Sequence, residues 1–208
     1  MKRRLIIWEV GSFIWVMLAG SAFHFAFELS EFWTPLALVS SVNESTWEHL
    51  KMYFWPGLIY ALVQYTYTRD IAKNYWLAKL GSLIMTPIGI VLSFYGYLAI
   101  SLPLYGTGFF ELDLMTMVVG LSLGSITAYK IMISPKLVKP NKKTVLAGYL
   151  TLVAMFSTFT FYPPKVFLFE NYFGYEYRGE YGILKNYEPY RVFKKESINQ
   201  RSRPKPIP

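Results

Sequence analysis

Five apolar stretches, each long enough to cross a lipid bilayer, take up most of this 208-residue chain. They run from Leu5 to Leu29, Trp47 to Tyr67, Trp76 to Leu102, Leu112 to Ile133 and Thr144 to Tyr162. At a helical rise of about 1.5 Å per residue each covers roughly 30 Å of hydrocarbon. Charged residues make up only 16% of the chain, against roughly a quarter in a soluble domain. Lipid therefore replaces water as solvent for much of the surface. The pattern predicts an all-α, polytopic membrane protein: a five-helix transmembrane bundle over residues 1–162, multi-pass in the cell membrane.

The opening Met-Lys-Arg-Arg followed by an apolar run has the outline of a signal peptide, but the run exceeds the usual h-region. Ala19-Gly20-Ser21-Ala22 leads straight into Phe23-His24-Phe25 with no short cleavage site. The segment reads as a retained first helix. Lys2, Arg3 and Arg4 place its start in the cytoplasm by the positive-inside rule. Two further connections agree, one with Arg69, Lys73 and Lys79, the other with Lys136, Lys139, Lys142 and Lys143. The opposite connections, Ser30 to Thr46 and Pro103 to Glu111, hold no Lys or Arg.

Five crossings put the tail outside. Residues 163–190 form an aromatic tail expected to pack at the outer membrane face, and 191–208 a basic end whose Arg-Ser-Arg-Pro-Lys-Pro-Ile-Pro composition predicts disorder. The net charge of +8 sits in loops and tail, which suits topology and anionic membrane lipid as partner, with no nucleic acid. The absence of cysteine excludes disulfides, thiolate metal sites and cysteine nucleophiles, so any site is built from nitrogen and oxygen.

Helices in lipid associate through small residues and shared polar groups. Gly120-x-x-x-Gly124 is the best such face and predicts a contact, including a homodimer through it. Pro56 and Pro87 free the carbonyls of Met52 and Leu83 and should bend their helices, each bend offering a polar pocket.

Both histidines fall at one edge of the first two helices. His24 and Glu28 lie one turn apart on one face, and Val42-Asn43-Glu44-Ser45-Thr46-Trp47-Glu48-His49-Leu50-Lys51 follows shortly after. Ser45-x-x-Glu48 has capping-box spacing, which accounts for Ser45 and part of Glu48 but not for His49, Glu44 or the pair on the first helix. Imidazole and carboxylate are ligands for zinc and related divalent ions. The residues thus propose His24, Glu28 and His49 as metal ligands, Glu48 as proton acceptor and Lys51 as an attractor of anionic headgroups. A metal-free polar or proton-handling network is the competing reading. Glu111, Asp113, Glu170, Glu176 and Glu180 stand on the same side and can complete a pocket, with Phe169, Glu170 and Asn171 folding back over the bundle as a lid. A single helix histidine also meets the sequence requirement for an axial haem ligand.

The Asn43 to Lys51 string, His24-Phe-Ala-Phe-Glu28, Tyr162-Pro-Pro, Leu168-Phe169-Glu170 and Glu180-Tyr181-Gly182-Ile183 together resemble a family of small, uncharacterised prokaryotic integral membrane proteins. The resemblance reaches from the first helix to about residue 184 and implies a membrane fold without a defined chemistry. No Ser-His-Asp spacing, phosphate loop or dinucleotide fingerprint is readable. Two functions remain: a metal-assisted hydrolase acting on a lipid-like or envelope substrate at the outer leaflet, or a transporter or structural, accessory membrane subunit without catalysis.

Overall fold

The computed structural model describes residues 2–135 and 141–193. Lys136 and Lys139, counted above in the fourth connection, and the polar end from residue 194 onward lie outside the described residues. Five helices form: α1 Lys2–Leu29, α2 Thr46–Thr68, α3 Tyr75–Tyr105, α4 Phe110–Ile133 and α5 Lys142–Thr158. Each overlaps the apolar stretch that predicts it, but Lys79, Lys142 and Lys143, counted above among the connections, lie inside α3 and α5. Helices α1, α3 and α4 are long and apolar enough to cross a membrane, which marks the chain as a membrane protein. Helix α2 differs by carrying Glu48, Lys51 and Gln64 on its buried side, and α5 by its 17-residue length.

Local chemistry sets the helix ends. Ser45 has extended backbone and its side chain accepts from the Glu48 amide at 3.3 Å, capping α2. The reciprocal half of the expected capping box is absent, because Asn43 Oδ1 takes the Ser45 amide at 2.8 Å and leaves the Glu48 carboxylate for other partners. Helix α3 stops at Gly106, whose φ of +70° is a left-handed cap that glycine adopts without strain.

Close approach without side chains holds α3 to α4. A Cβ added at Gly120 would lie 2.7 Å from the Thr86 carbonyl oxygen, and one at Gly89 only 2.9 Å from the Gly120 Cα. Gly120 and Gly124 are buried in this contact. The small-residue face therefore packs α4 against α3 inside the chain. Between α1 and α2, a Cβ at Gly20 would come within 2.7 Å of the Met52 carbonyl oxygen, the one that Pro56 leaves without its helical donor.

Beyond α5 the chain turns back over the end of the bundle that holds the C-terminus of α1 and the N-terminus of α2. Phe169, in a single 3-10 turn, stacks near Trp47 at 4.7 Å between ring centroids, and Trp47 stacks on Phe156 of α5 at 4.6 Å. Two antiparallel strands follow, β1 Glu170–Phe173 and β2 Glu176–Tyr181. This hairpin departs from the all-α expectation. Its two-residue turn, Gly174-Tyr175, has φ of +63° at both positions, as a type I′ turn requires. Past the hairpin Arg191 pairs with Glu31 at 3.0 Å and lies over the Phe32 ring. Residues 191–193 are thus anchored, although the sequence assigns them to a disordered end.

Candidate functional site

The loop between α1 and α2 brings one carboxylate between the two imidazoles. His24 Nε2 lies 3.9 Å from one oxygen of Glu44, and His49 Nε2 lies 3.4 Å from the other. The rings of His24 and His49 are 5.1 Å apart between centroids. One ligand atom from each of the three residues falls within 4.8 Å of the others. Bonds of about 2.0–2.1 Å to a tetrahedral ion separate its ligands by roughly 3.3 Å, so the trio would have to draw together to share one ion.

The surroundings orient two of the three groups. His49 Nδ1 lies 2.9 Å from the Ser45 carbonyl oxygen, one turn back. With Nδ1–H donating there, Nε2 presents its lone pair toward Glu44, the usual arrangement behind a metal-bound histidine. The Glu44 amide donates to Asn171 Oδ1 at 3.1 Å, and Asn171 Nδ2 donates to Glu180 at 2.9 Å. Asn171 is fully buried, and Asn43 Nδ2 donates to the Gly182 carbonyl at 2.8 Å. The hairpin therefore positions the loop that carries Glu44. His24 Nδ1 is buried with no hydrogen-bond partner among the described residues.

Three residues proposed from sequence sit elsewhere. Glu28 accepts from the backbone amides of Val192 and Phe193 at 3.1 and 2.7 Å, so its carboxylate anchors the tail rather than joining the imidazoles. Glu48 and Lys51 form a sealed ion pair at 2.8 Å, with side chains 2% and 0% exposed. Lys51 Nζ also donates to the Ala37 carbonyl at 2.6 Å and to Thr160 Oγ1 at 2.7 Å, which saturates its three protons. Glu48 accepts in turn from Thr160 at 2.7 Å and from the Val42 amide at 3.1 Å. Lys51 has no proton left for a headgroup, and burial closes Glu48 off from bulk water. Their role is to join α2, the preceding loop and the turn after α5.

Glu44 replaces Glu28 as the carboxylate of the cluster. It lies just before the α2 cap, in irregular backbone, where helical spacing gives no direction. The nearest signal was that a helix start left Glu44 unexplained.

The trio forms part of the wall of a cavity of about 480 Å³ at this end of the bundle. Apolar side chains dominate the rest, among them Phe25, Met52, Ile90, Phe94, Leu114 and Met117, and Tyr172, Phe173 and Tyr175 of the hairpin close over it. Asp113, near the start of α4, accepts from the Tyr97 hydroxyl and, at 2.7 Å, from that of Tyr175. Burial, helped by the bond to Asp113, pushes the Tyr175 hydroxyl up to about 12, so it stays a proton donor at neutral pH. Asp113 thereby fastens the hairpin tip to α4. Phe169 meets Trp47 of α2 and Asn171 meets the loop before it, so this part of the tail returns to this end of the bundle.

Fold and site together define a mostly helical membrane protein with a two-imidazole, one-carboxylate cluster beside an apolar cavity. Residues 2–183 match the model of a family of unknown function, DUF6512, and the chain belongs to that family. No curated protein and no solved structure matches it.

Proposed function

We propose that this protein is a multi-pass cell-membrane protein that binds a divalent metal such as zinc through His24, Glu44 and His49 and hydrolyses an amphipathic, lipid-like substrate. The observation that carries the reading is the juxtaposition of the three-residue cluster with a predominantly apolar cavity of about 480 Å³. Ligand sites commonly have volumes of about 300–1,000 Å³, apolar walls and a few convergent polar groups. Three protein ligands leave a coordination position for water, and a bound metal makes that water a nucleophile near neutral pH by lowering its pKa to about 7.

In this reading all five helices cross the membrane, with the N-terminus cytoplasmic and the cavity at the outer leaflet. The buried placement of Glu48, Lys51 and Gln64 supports a spanning α2, because its exposed positions include Ile59, Leu62 and Val63. Helix α5, at 17 residues, lies at the short end of the spanning range and exposes Leu146 and Leu150. A lipid tail then lies among Phe25, Phe94 and Met117 while its scissile bond faces the cluster. Glu44 and the two histidines hold the ion, and the hairpin excludes bulk water from the reacting bond.

The test is elemental analysis of detergent-purified protein, together with hydrolysis of a panel of phospholipid and acyl-ester substrates. One equivalent of metal, lost in both His49→Ala and Glu44→Gln together with turnover, is the expected result. Folded wild-type protein that takes up no stoichiometric zinc, manganese or nickel would refute the proposal.

A further inference from the structure

A second buried polar cluster lies toward the other end of the bundle and is independent of the histidines. Glu9 of α1, Gln64 of α2 and Lys79 of α3 are 5%, 0% and 3% exposed. Glu9 Oε1 accepts from Lys79 Nζ at 2.6 Å and from Gln64 Nε2 at 2.8 Å. Two acceptors have no partner among the described residues, Glu9 Oε2 and Gln64 Oε1. An ion pair inside membrane-spanning helices is costly and weak as a stability device, since two packed apolar side chains serve as well. Unsatisfied oxygens add to that cost unless a proton or water reaches them.

Lys79 also faces a small pocket of about 20 Å³, whose wall includes the hydroxyl-bearing residues Ser12, Ser82, Thr86 and Ser125. That volume exceeds the roughly 10–15 Å³ a water needs, and the lining supplies polar partners. The pocket adjoins Pro87 and Leu83, where the proline leaves the Leu83 carbonyl without its helical donor. Tyr53 lines both this pocket and the large cavity beside the histidines. Tyr53 is thus shared between the pocket beside Lys79 and the cavity at the opposite end. Tyr60 and Tyr75 also stand near Glu9, but each donates to a backbone carbonyl, of Trp8 at 3.1 Å and Ala61 at 2.6 Å.

We infer that Glu9 and Lys79 form a proton relay through the bundle, with the polar pocket and Tyr53 as its connection to the cavity. A proton entering from the N-terminal face is taken up by the free oxygen of Glu9. Lys79, its partner neutralised, releases a proton to water in the pocket. Glu9 then returns its own proton to the Lys79 amine, which restores the ion pair. One proton has crossed and no other species is consumed.

The experiment uses full-length protein in liposomes loaded with a pH-sensitive dye, with a potassium gradient and valinomycin setting the potential. Wild-type vesicles are expected to change internal pH faster than protein-free vesicles. Glu9→Gln is expected to reduce the rate to the protein-free leak while leaving bound metal unchanged, which separates this inference from the proposed hydrolase. Should Glu9→Gln fail to fold because it strands Lys79, the charge-neutral Glu9→Gln/Lys79→Met pair and the milder Tyr53→Phe serve instead, both with reduced flux. Wild-type flux at the leak level, or wild-type flux in any folded one of these variants, overturns the relay.

Discussion

Replacing Lys51 with methionine tests the structural role of the Glu48–Lys51 pair. The substitution keeps the length of the side chain and removes three hydrogen bonds, to Ala37, Glu48 and Thr160 at 2.6, 2.8 and 2.7 Å. Glu48, 2% exposed, is left as a buried anion with only the Val42 amide and the Thr160 hydroxyl to solvate it. Breaking a buried pair on one side costs about 3–5 kcal/mol, mostly because the remaining charge has no partner. At roughly 2–4 °C per kcal/mol for a chain of this size, the thermal unfolding midpoint in detergent should fall by roughly 6–20 °C. Glu48→Gln/Lys51→Met removes both charges; the Gln oxygen can accept from the Val42 amide while its NH2 donates to the Thr160 oxygen that Lys51 vacates, so it should regain more than half of that loss. The assay is a thermal melt followed by intrinsic fluorescence, run beside metal analysis of the same preparations. A Lys51→Met melt indistinguishable from wild type, or a double variant no more stable than the single one, would refute the structural assignment.

Two further outcomes follow from the packing. Asn171→Ala removes the acceptor for the Glu44 amide and should weaken metal binding by about 10–100-fold with the fold retained, measured by competition with a chelating dye; unchanged affinity would separate the hairpin from the cluster. Gly120→Val forces side-chain atoms against the Thr86 carbonyl, 2.7 Å from the first added carbon, and should cost about 1–3 kcal/mol or more, read as a lower melting midpoint. An undisturbed midpoint would show that α3 and α4 separate without penalty.

Much of the fold was legible because apolar length is a property of composition alone. The five helices follow the five stretches, and the Gly120/Gly124 spacing marks a real helix contact. What sequence could not supply was the partner: whether that face meets α3 or another copy depends on three-dimensional placement of Gly89 and Thr86. The hairpin was missed because Tyr172, Phe173, Tyr175 and Tyr177 read equally well as an aromatic tail packed at the membrane face, and only the left-handed backbone at Gly174 and Tyr175 turns them into strands. At the site, the two histidines could be paired from their position at adjacent helix ends. The choice among Glu28, Glu44 and Glu48 could not, since a carboxylate one turn from a histidine can as easily reach a loop amide, as Glu28 does.

The knot around Lys51 also bears on how the molecule is made. Thr160, which bonds both Lys51 and Glu48, follows Lys51 by 109 positions. A ribosome delivers the chain from its N-terminus, so α2 emerges long before the hydroxyl that completes its polar contacts. Nascent chains ending ahead of Thr160 lack that closure, so until the turn after α5 is in place Lys51 and Glu48 each go without one of their bonds.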